Sequence, residues 1–207
     1  RLGNYPVKAY FLGDDKYNAT NKSGNTFRVV AKNTTIINIK VQDFVVVDDD
    51  VLFNVTTNST AALTIKVNGQ AVTHVSGNTY KFTNASVVGT YTITATTPEN
   101  INYYAGENST TFEVIKHNST VVIDVDPVHF IGTTFTINVT SNATVVNVTI
   151  NGKVYRLDAN GTVIIDTAAL PAGEYIVNAI VFESDKYNGN STNKTFKVVK
   201  YAAEIVS

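Results

Sequence analysis

The sequence contains no cysteine, no methionine and no tryptophan, and only four prolines. Without cysteine there is no disulfide framework and no thiolate chemistry, and a zinc site would lack its usual soft ligands. Charge is also scarce: Asp, Glu, Lys and Arg are 16% of 207 residues, and the formal net charge is −1. An ordinary soluble domain carries about 25%. No basic run exists, so the electrostatic footprint of a nucleic-acid binder is absent. There is no stretch of about 18 apolar residues, which excludes a membrane-spanning helix within this segment. No charged n-region and apolar h-region open the chain, so any secretion signal is expected to lie outside it. The lack of an initiator Met is read as a processed protein or an excerpt of a longer one. The three histidines, His74, His117 and His129, share no metal-ligand spacing, and no nucleophile elbow or Gly-rich phosphate loop occurs. No catalytic residue, metal or cofactor is therefore expected.

Uncharged polar residues fill the gap: 29 Thr, 24 Asn and 10 Ser. With Val, Ile, Tyr and Phe, the threonines suit a pleated, half-buried surface. Apolar residues alternate with polar ones in Leu63-Thr64-Ile65-Lys66-Val67-Asn68, in Val146-Asn147-Val148-Thr149-Ile150-Asn151 and in Phe53-Asn54-Val55-Thr56. Turn formers bound these runs, among them Asn68-Gly69, Asn151-Gly152, Asn160-Gly161 and Ser76-Gly77-Asn78. No window has an amphipathic helical period. The expected class is all-β.

Self-comparison finds a repeat. Gly3-Asn4-Tyr5-Pro6-Val7-Lys8-Ala9 aligns with Gly89-Thr90-Tyr91-Thr92-Ile93-Thr94-Ala95 and with Gly173-Glu174-Tyr175-Ile176-Val177-Asn178-Ala179, at offsets of 86 and 84. Asp15-Lys16-Tyr17-Asn18 returns as Asp185-Lys186-Tyr187-Asn188, and more loosely as Asn102-Tyr103-Tyr104-Ala105. Phe27, Phe112 and Phe196 close the pattern at spacings of 85 and 84. A period of about 84 residues with about seven short strands is the size of a small β-sandwich. The expected organisation is two complete repeats, 33–117 and 118–200, with the closing part of an earlier one at 1–32 and the first strand of another at 201–207. No Gly/Pro/Ser-rich linker separates the units, which implies stiff, end-to-end stacking.

The Gly-x-Tyr-x-Val-x-Ala strand, the Asp-x-x-Tyr-Asn loop and the closing Phe-x-Val strand resemble tandem bacterial-type Ig-like repeats. This Asn/Thr-rich form is similar to the adhesin-like surface proteins of methanogenic archaea. The resemblance covers the whole chain and implies a secreted, wall-anchored or filamentous protein built from Ig-like sandwiches. Its repeats would serve as stalk, fibre or adhesive surface. Tyr5, Tyr91 and Tyr175 have the form of tyrosine corners, in which the hydroxyl bonds back to nearby backbone. Tyr17, Tyr104 and Tyr187 fall in the following loop, where they are expected to plug one end of each sandwich; stacking on sugars is the functional alternative.

The sharpest functional signal is the sequon Asn-x-Ser/Thr. It occurs 14 times, at Asn18, Asn21, Asn33, Asn54, Asn58, Asn84, Asn108, Asn118, Asn138, Asn142, Asn147, Asn160, Asn190 and Asn193. Chance under this composition gives about 4 or 5. Asn54, Asn138 and Asn147 have outward strand parity, where a glycan would project. Sugars would also supply the solubility that a low-charge surface lacks. The Asp48-Asp49-Asp50 run is read as a solvated turn rather than a calcium site, because the equivalent position in the next repeat is Gly132-Thr133-Thr134. Three functions compete: a glycosylated non-enzymatic stalk or filament at the cell surface, an adhesin that binds glycans or another cell through its tyrosine loops, and a filament subunit joined by donor-strand addition. The expected partners are covalent N-glycans, neighbouring repeats or subunits of the same protein, and another cell surface. Nucleic acid and a membrane span are not among them.

Overall fold

The computed structural model describes residues 1–143 and 146–204. Of the stretch expected to begin a further repeat, residues 201–204 lie in no strand and residues 205–207 are outside the described part. The strands in chain order open with β1 (Gly3–Phe11) and β2 (Thr20–Val29). Next come β3 (Ile37–Lys40), β4 (Phe44–Val46), β5 (Val51–Thr57), β6 (Thr64–Val67), β7 (Gln70–Ala71), β8 (Thr73–Ser76), β9 (Thr79–Phe82), β10 (Gly89–Thr97) and β11 (Gly106–Ile115). The last group is β12 (Val121–Asp124), β13 (Val128–Phe130), β14 (Thr134–Ser141), β15 (Val146–Ile150), β16 (Lys153–Tyr155), β17 (Thr162–Asp166), β18 (Gly173–Val181) and β19 (Asn190–Val199). One turn of 3-10 helix, Thr167–Ala169, separates β17 from β18.

The period-two pattern decides which face of each strand is buried. In β5, Val51, Phe53 and Val55 are buried while Leu52, Asn54 and Thr56 are exposed. In β18, Tyr175, Val177, Ala179 and Val181 alternate inward in the same way. The Asn-Gly pairs form the tight turns that follow β6 and β15: φ is 46° and 79° at Asn68 and Gly69, and 45° and 83° at Asn151 and Gly152. Both central residues lie at positive φ, as a type I′ hairpin turn requires. Asn68 Oδ1 then accepts from Thr92 N at 2.8 Å, and Asn151 Oδ1 from Ile176 N at 3.0 Å, fixing each turn against the neighbouring strand.

Two sets of sheets share one strand order. The first set is β3-β5-β9-β8 with β4-β11-β10-β6-β7, and the second is β12-β14-β17 with β13-β19-β18-β15-β16. In letters these are A-B-E-D and A′-G-F-C-C′, with no D strand in the second set among the described residues. This is the immunoglobulin arrangement. The fold is all-β and Ig-like. The first strand splits in both sets, so that its second half pairs in parallel with the last strand: β4 with β11, and β13 with β19. In the second set Pro127 stands at the break, where it has no N–H to offer a ladder, and its carbonyl accepts from Lys197 N at 2.9 Å. The two-stranded antiparallel sheet of β1 and β2 stands apart.

By packing, the chain divides into two compact units. One is Arg1–Val41, Leu52–Lys81 and Thr92–Thr110; the other is Gln42–Val51, Phe82–Tyr91 and Thr111–Ser207. The first buries Phe53, Val55, Val67, Ile93 and Ala95, and Phe53 stacks on Tyr80 at 6.1 Å. The second holds a core of residues from both of its later sheets, including Ile123, Ile137, Val139, Val148, Ile165, Tyr175, Val177 and Phe196. The same unit buries Phe82, Tyr91 and Phe112, whose rings pack at 6.0 and 5.5 Å.

Candidate functional site: turn tyrosines, lead-in clamps and surface asparagines

Three turns of one design recur along the chain. Asp14 N donates to Tyr17 O, Asn100 N to Tyr103 O and Ser184 N to Tyr187 O, each at 2.9 Å. The side chain of each first residue closes its turn. Asp14 Oδ1 accepts from Lys16 N and Tyr17 N, Asn100 Oδ1 from Asn102 N and Tyr103 N, and Ser184 Oγ from Tyr187 N. Such short polar side chains satisfy a turn's N–H groups locally. The equivalent tyrosines are therefore Tyr17, Tyr103 and Tyr187, and Tyr104 is one residue past the shared position. Tyr103 and Tyr187 are half-buried, whereas Tyr17 and Tyr104 are 67% and 48% exposed.

Two of these turns grip the segment that leads into a first strand. Asn33 N donates to Asn102 O, and Tyr104 N to Asn33 O. In the next repeat His117 N donates to Lys186 O, and Asn188 N to His117 O. The His117 ring also stacks on Tyr187 at 5.0 Å. Thr35 Oγ1 donates to Tyr104 O, and Ser119 Oγ to Asn188 O. From the other side the lead-in is held by an asparagine carboxamide. Asn58 Oδ1 accepts from Ile36 N at 2.8 Å while its Nδ2 donates to Thr34 O at 3.1 Å. Asn142 does the same to Thr120 N at 2.8 Å and Asn118 O at 3.1 Å. Ion pairs join the residue before each lead-in to the turn: Lys32 with Glu99, and Lys116 with Glu183 at 2.6 Å. The hydrogen bond and charge of Lys116 hold the Glu183 carboxyl below the ordinary glutamate range.

Asp48 sits at positive φ, 68°, and receives both a 2.7 Å and a 2.9 Å bond from Lys186 Nζ. Among the described residues no group of three His, Asp or Glu side chains could hold a metal ion. The second set of sheets replaces strand D by a turn in which Thr162 N and Oγ1 donate to the Asp158 carboxylate at 2.8 and 2.6 Å. These bonds, the hydroxyl's first, hold the Asp158 carboxyl below its ordinary value. Beside this turn opens a cleft of about 580 Å³, lined by residues that include Ser141, Asn147, Tyr155 and Arg156.

Of the 14 sequon asparagines, 13 are exposed and Asn147 is half-buried. Their side chains are used in different ways. Asn58 and Asn142 form the clamps just described. Asn108 Nδ2 donates to Ile37 O at 2.7 Å, and Asn190 Nδ2 to Ser119 O at 2.6 Å. Asn54 Oδ1 accepts from Thr79 Oγ1 at 2.9 Å, and Asn118 Oδ1 from Asn188 Nδ2 at 3.0 Å. Asn33 is held through its backbone, and Asn84 keeps a partner of its own. Asn18, Asn21, Asn138, Asn160 and Asn193 are exposed and make no side-chain hydrogen bond among the described residues. The corner tyrosines reach back four residues. Tyr175 OH donates to Pro171 O at 2.7 Å and Tyr5 OH to Arg1 O at 2.6 Å, while Tyr91 OH accepts from Val87 N at 3.3 Å. The Asn-x-Ser/Thr motif revealed the sequons, but the clamping role of Asn58 and Asn142 depends on carbonyls 24 residues away and left no local signal.

No family profile matches the chain, and no curated protein matches it in sequence. Solved structures resemble it distantly. The fibronectin(III)-like modules of CbhA from Clostridium thermocellum are 16% identical, with 79% of this chain and 93% of that chain covered and a TM-score of 0.32. An I-band fragment from titin is 14% identical, with 82% and 67% covered and a TM-score of 0.33. The amphioxus IgVJ-C2 molecule is 14% identical, with 74% and 98% covered and a TM-score of 0.34. The assignment of the fold rests on strand order and burial.

Proposed function

We propose that the chain is a non-enzymatic, N-glycosylated segment of an extracellular stalk or filament, built from Ig-like repeats at 33–117 and 118–200. Residues 1–32 are the close of a preceding repeat, and residues 201–207 the start of a following one. The observation that carries this reading is the clamp that recurs at equivalent positions of successive repeats. In both places the turn takes up the lead-in backbone, and a lysine immediately before the lead-in pairs with a glutamate beside the turn. Each clamp holds the residues leading into a first strand against the turn of the repeat they enter, so no slack segment precedes that strand, which suits a load-bearing or spacing role. Exposed asparagines in sequons, far above chance frequency, suit a surface covered by sugar. No helix among the described residues is long and apolar enough to cross a membrane.

Electron cryo-microscopy of the native material tests the structural role. An ordered fibre or stalk whose density repeats with units of this size supports it. A monomeric soluble protein that binds free oligosaccharide through its turn tyrosines would support the adhesin reading instead, for which the exposure of Tyr17 and Tyr104 is the favouring observation. The variants Tyr17→Ala and Tyr104→Ala abolish saccharide binding in that case and leave fibre formation untouched in the first.

A further inference from the structure

The sequon asparagines differ in what their carboxamides do, and two of them engage a backbone segment with both the oxygen and the nitrogen. Asn58 and Asn142 stand at the same position of successive repeats, and each places its whole carboxamide on a lead-in segment. The oxygen accepts from a backbone N–H while the nitrogen donates to the carbonyl two residues earlier. To serve two groups on one side, a primary amide must use its oxygen together with the N–H that lies syn to it. N-glycosylation converts the primary amide to a secondary one, and a secondary amide places its substituent syn to the oxygen and its one remaining N–H anti. The sugar therefore replaces the proton that the clamp donates. Keeping both the sugar and the clamp would demand a cis amide, which a secondary amide strongly disfavours.

We propose that Asn58 and Asn142 are clamp residues that stay unmodified in the native protein, and that its N-glycans are carried by other sequons, Asn138 foremost. Asn138 lies on β14 a short step before Asn142, is exposed, and makes no side-chain hydrogen bond among the described residues. The pair is thus a matched contrast: neighbouring sequons with opposite fates. This inference rests on the glycosylation reading above for its second half, and its first half stands without it.

The experiment has two arms. In the first, the unglycosylated chain is compared with Asn142→Asp and Asn138→Asp by thermal unfolding. The Asp substitution keeps the acceptor and removes the donor, so Asn142→Asp is expected to lower the transition of its repeat by about 3–8 °C. Asn138→Asp, whose new charge faces Asp124 across the β12–β14 ladder, is expected to shift it by only about 1–2 °C. Equal shifts for the two variants would overturn the clamp. In the second arm, glycopeptides of the native protein are mapped by mass spectrometry. Sugar on Asn138 with bare Asn58 and Asn142 supports the proposal, and sugar on Asn58 or Asn142 overturns it. If every sequon is bare, the glycosylation reading fails, the assignment of glycans fails with it, and the clamp is decided by the thermal arm.

Discussion

The sheet of β1 and β2 and the pair β18–β19 are the same sequence motif in two environments. Both are antiparallel, with Tyr5 opposite Phe27 in one and Tyr175 opposite Phe196 in the other. The ring pairs stack at the same 5.3 Å. Yet Phe196 is 1% exposed and Phe27 is 55% exposed. Register and ring stacking are therefore set within the hairpin, by cross-strand neighbours and the tight turn at its end. Burial is set by what lies across from it. The core of β18–β19 includes Ile137, Val139, Val163 and Ile165 from the opposing sheet, whereas β1 and β2 form a sheet of two strands with exposed residues on both faces. The pairing differs in one detail: β1–β2 shifts register between Pro6 and Lys8, while β18–β19 runs unbroken from Gly173 to Val181.

The contrast can be broken by truncating the stacked phenylalanines. Phe196→Ala is expected to cost about 3–5 kcal/mol through lost burial and a residual cavity. Phe27→Ala is expected to cost about 1 kcal/mol or less, the worth of a stacked ring pair in solvent. Denaturant unfolding of the two variants measures both, and similar costs would mean that β1–β2 is covered in solution. A smaller contrast is expected on enlarging the equivalent alanines, Ala179 and Ala9. Ala179 is fully buried, so Ala179→Leu should cost about 1–3 kcal/mol by overpacking, while Ala9→Leu, on an exposed strand, should stay within about 0.5 kcal/mol. The unfolding midpoints of the two variants would show it.

The corner hydroxyls give a finer comparison. Tyr175→Phe removes a part-buried bond to Pro171 O and is expected to cost about 1 kcal/mol, against a few tenths for Tyr5→Phe, whose bond to Arg1 O is exposed. The smallest effect is electrostatic. Beside the β18–β19 turn, Glu183 is paired with Lys116, while Gly13 occupies the corresponding place before the Asp14 turn. Because the folded Glu183 carboxyl titrates below its unfolded value, the pair's contribution is present above that unfolded value and is lost as pH falls through the folded one. Glu183→Gln should flatten the acid limb of the stability profile slightly, since the pair is exposed; an NMR titration of Glu183 at or above the ordinary glutamate range would contradict the pairing.

Much of this was legible in the sequence, for reasons that can be named. Alternation along β5 and β18, the Asn-Gly turns after β6 and β15, and the long repeat period all report local or repeated geometry. The reach-back of Tyr175 is likewise a four-residue affair. What escaped depends on distant partners. Among the described residues the second set of sheets has no strand D, and Asp158 closes a turn on Thr162 in its place, although the flanking repeat pattern continues. Tyr103, rather than Tyr104, matches Tyr187 because the shared turn begins at Asn100, which two adjacent tyrosines conceal in sequence. Asn147 has the outward parity of Asn54 and Asn138 but is half-buried, because it lines the cleft beside the Asp158 turn. Above all, a sequon asparagine looks the same on paper whether its amide is free or closes on a backbone segment.

The central claim, a covalently sugar-coated repeat segment, meets its most direct test in the intact mass of native material spanning these residues. The polypeptide alone weighs 22.4 kDa. A mass above that by discrete sugar increments, which returns to the polypeptide value on chemical deglycosylation, is the result the account predicts. A native mass equal to that of the bare chain would contradict it.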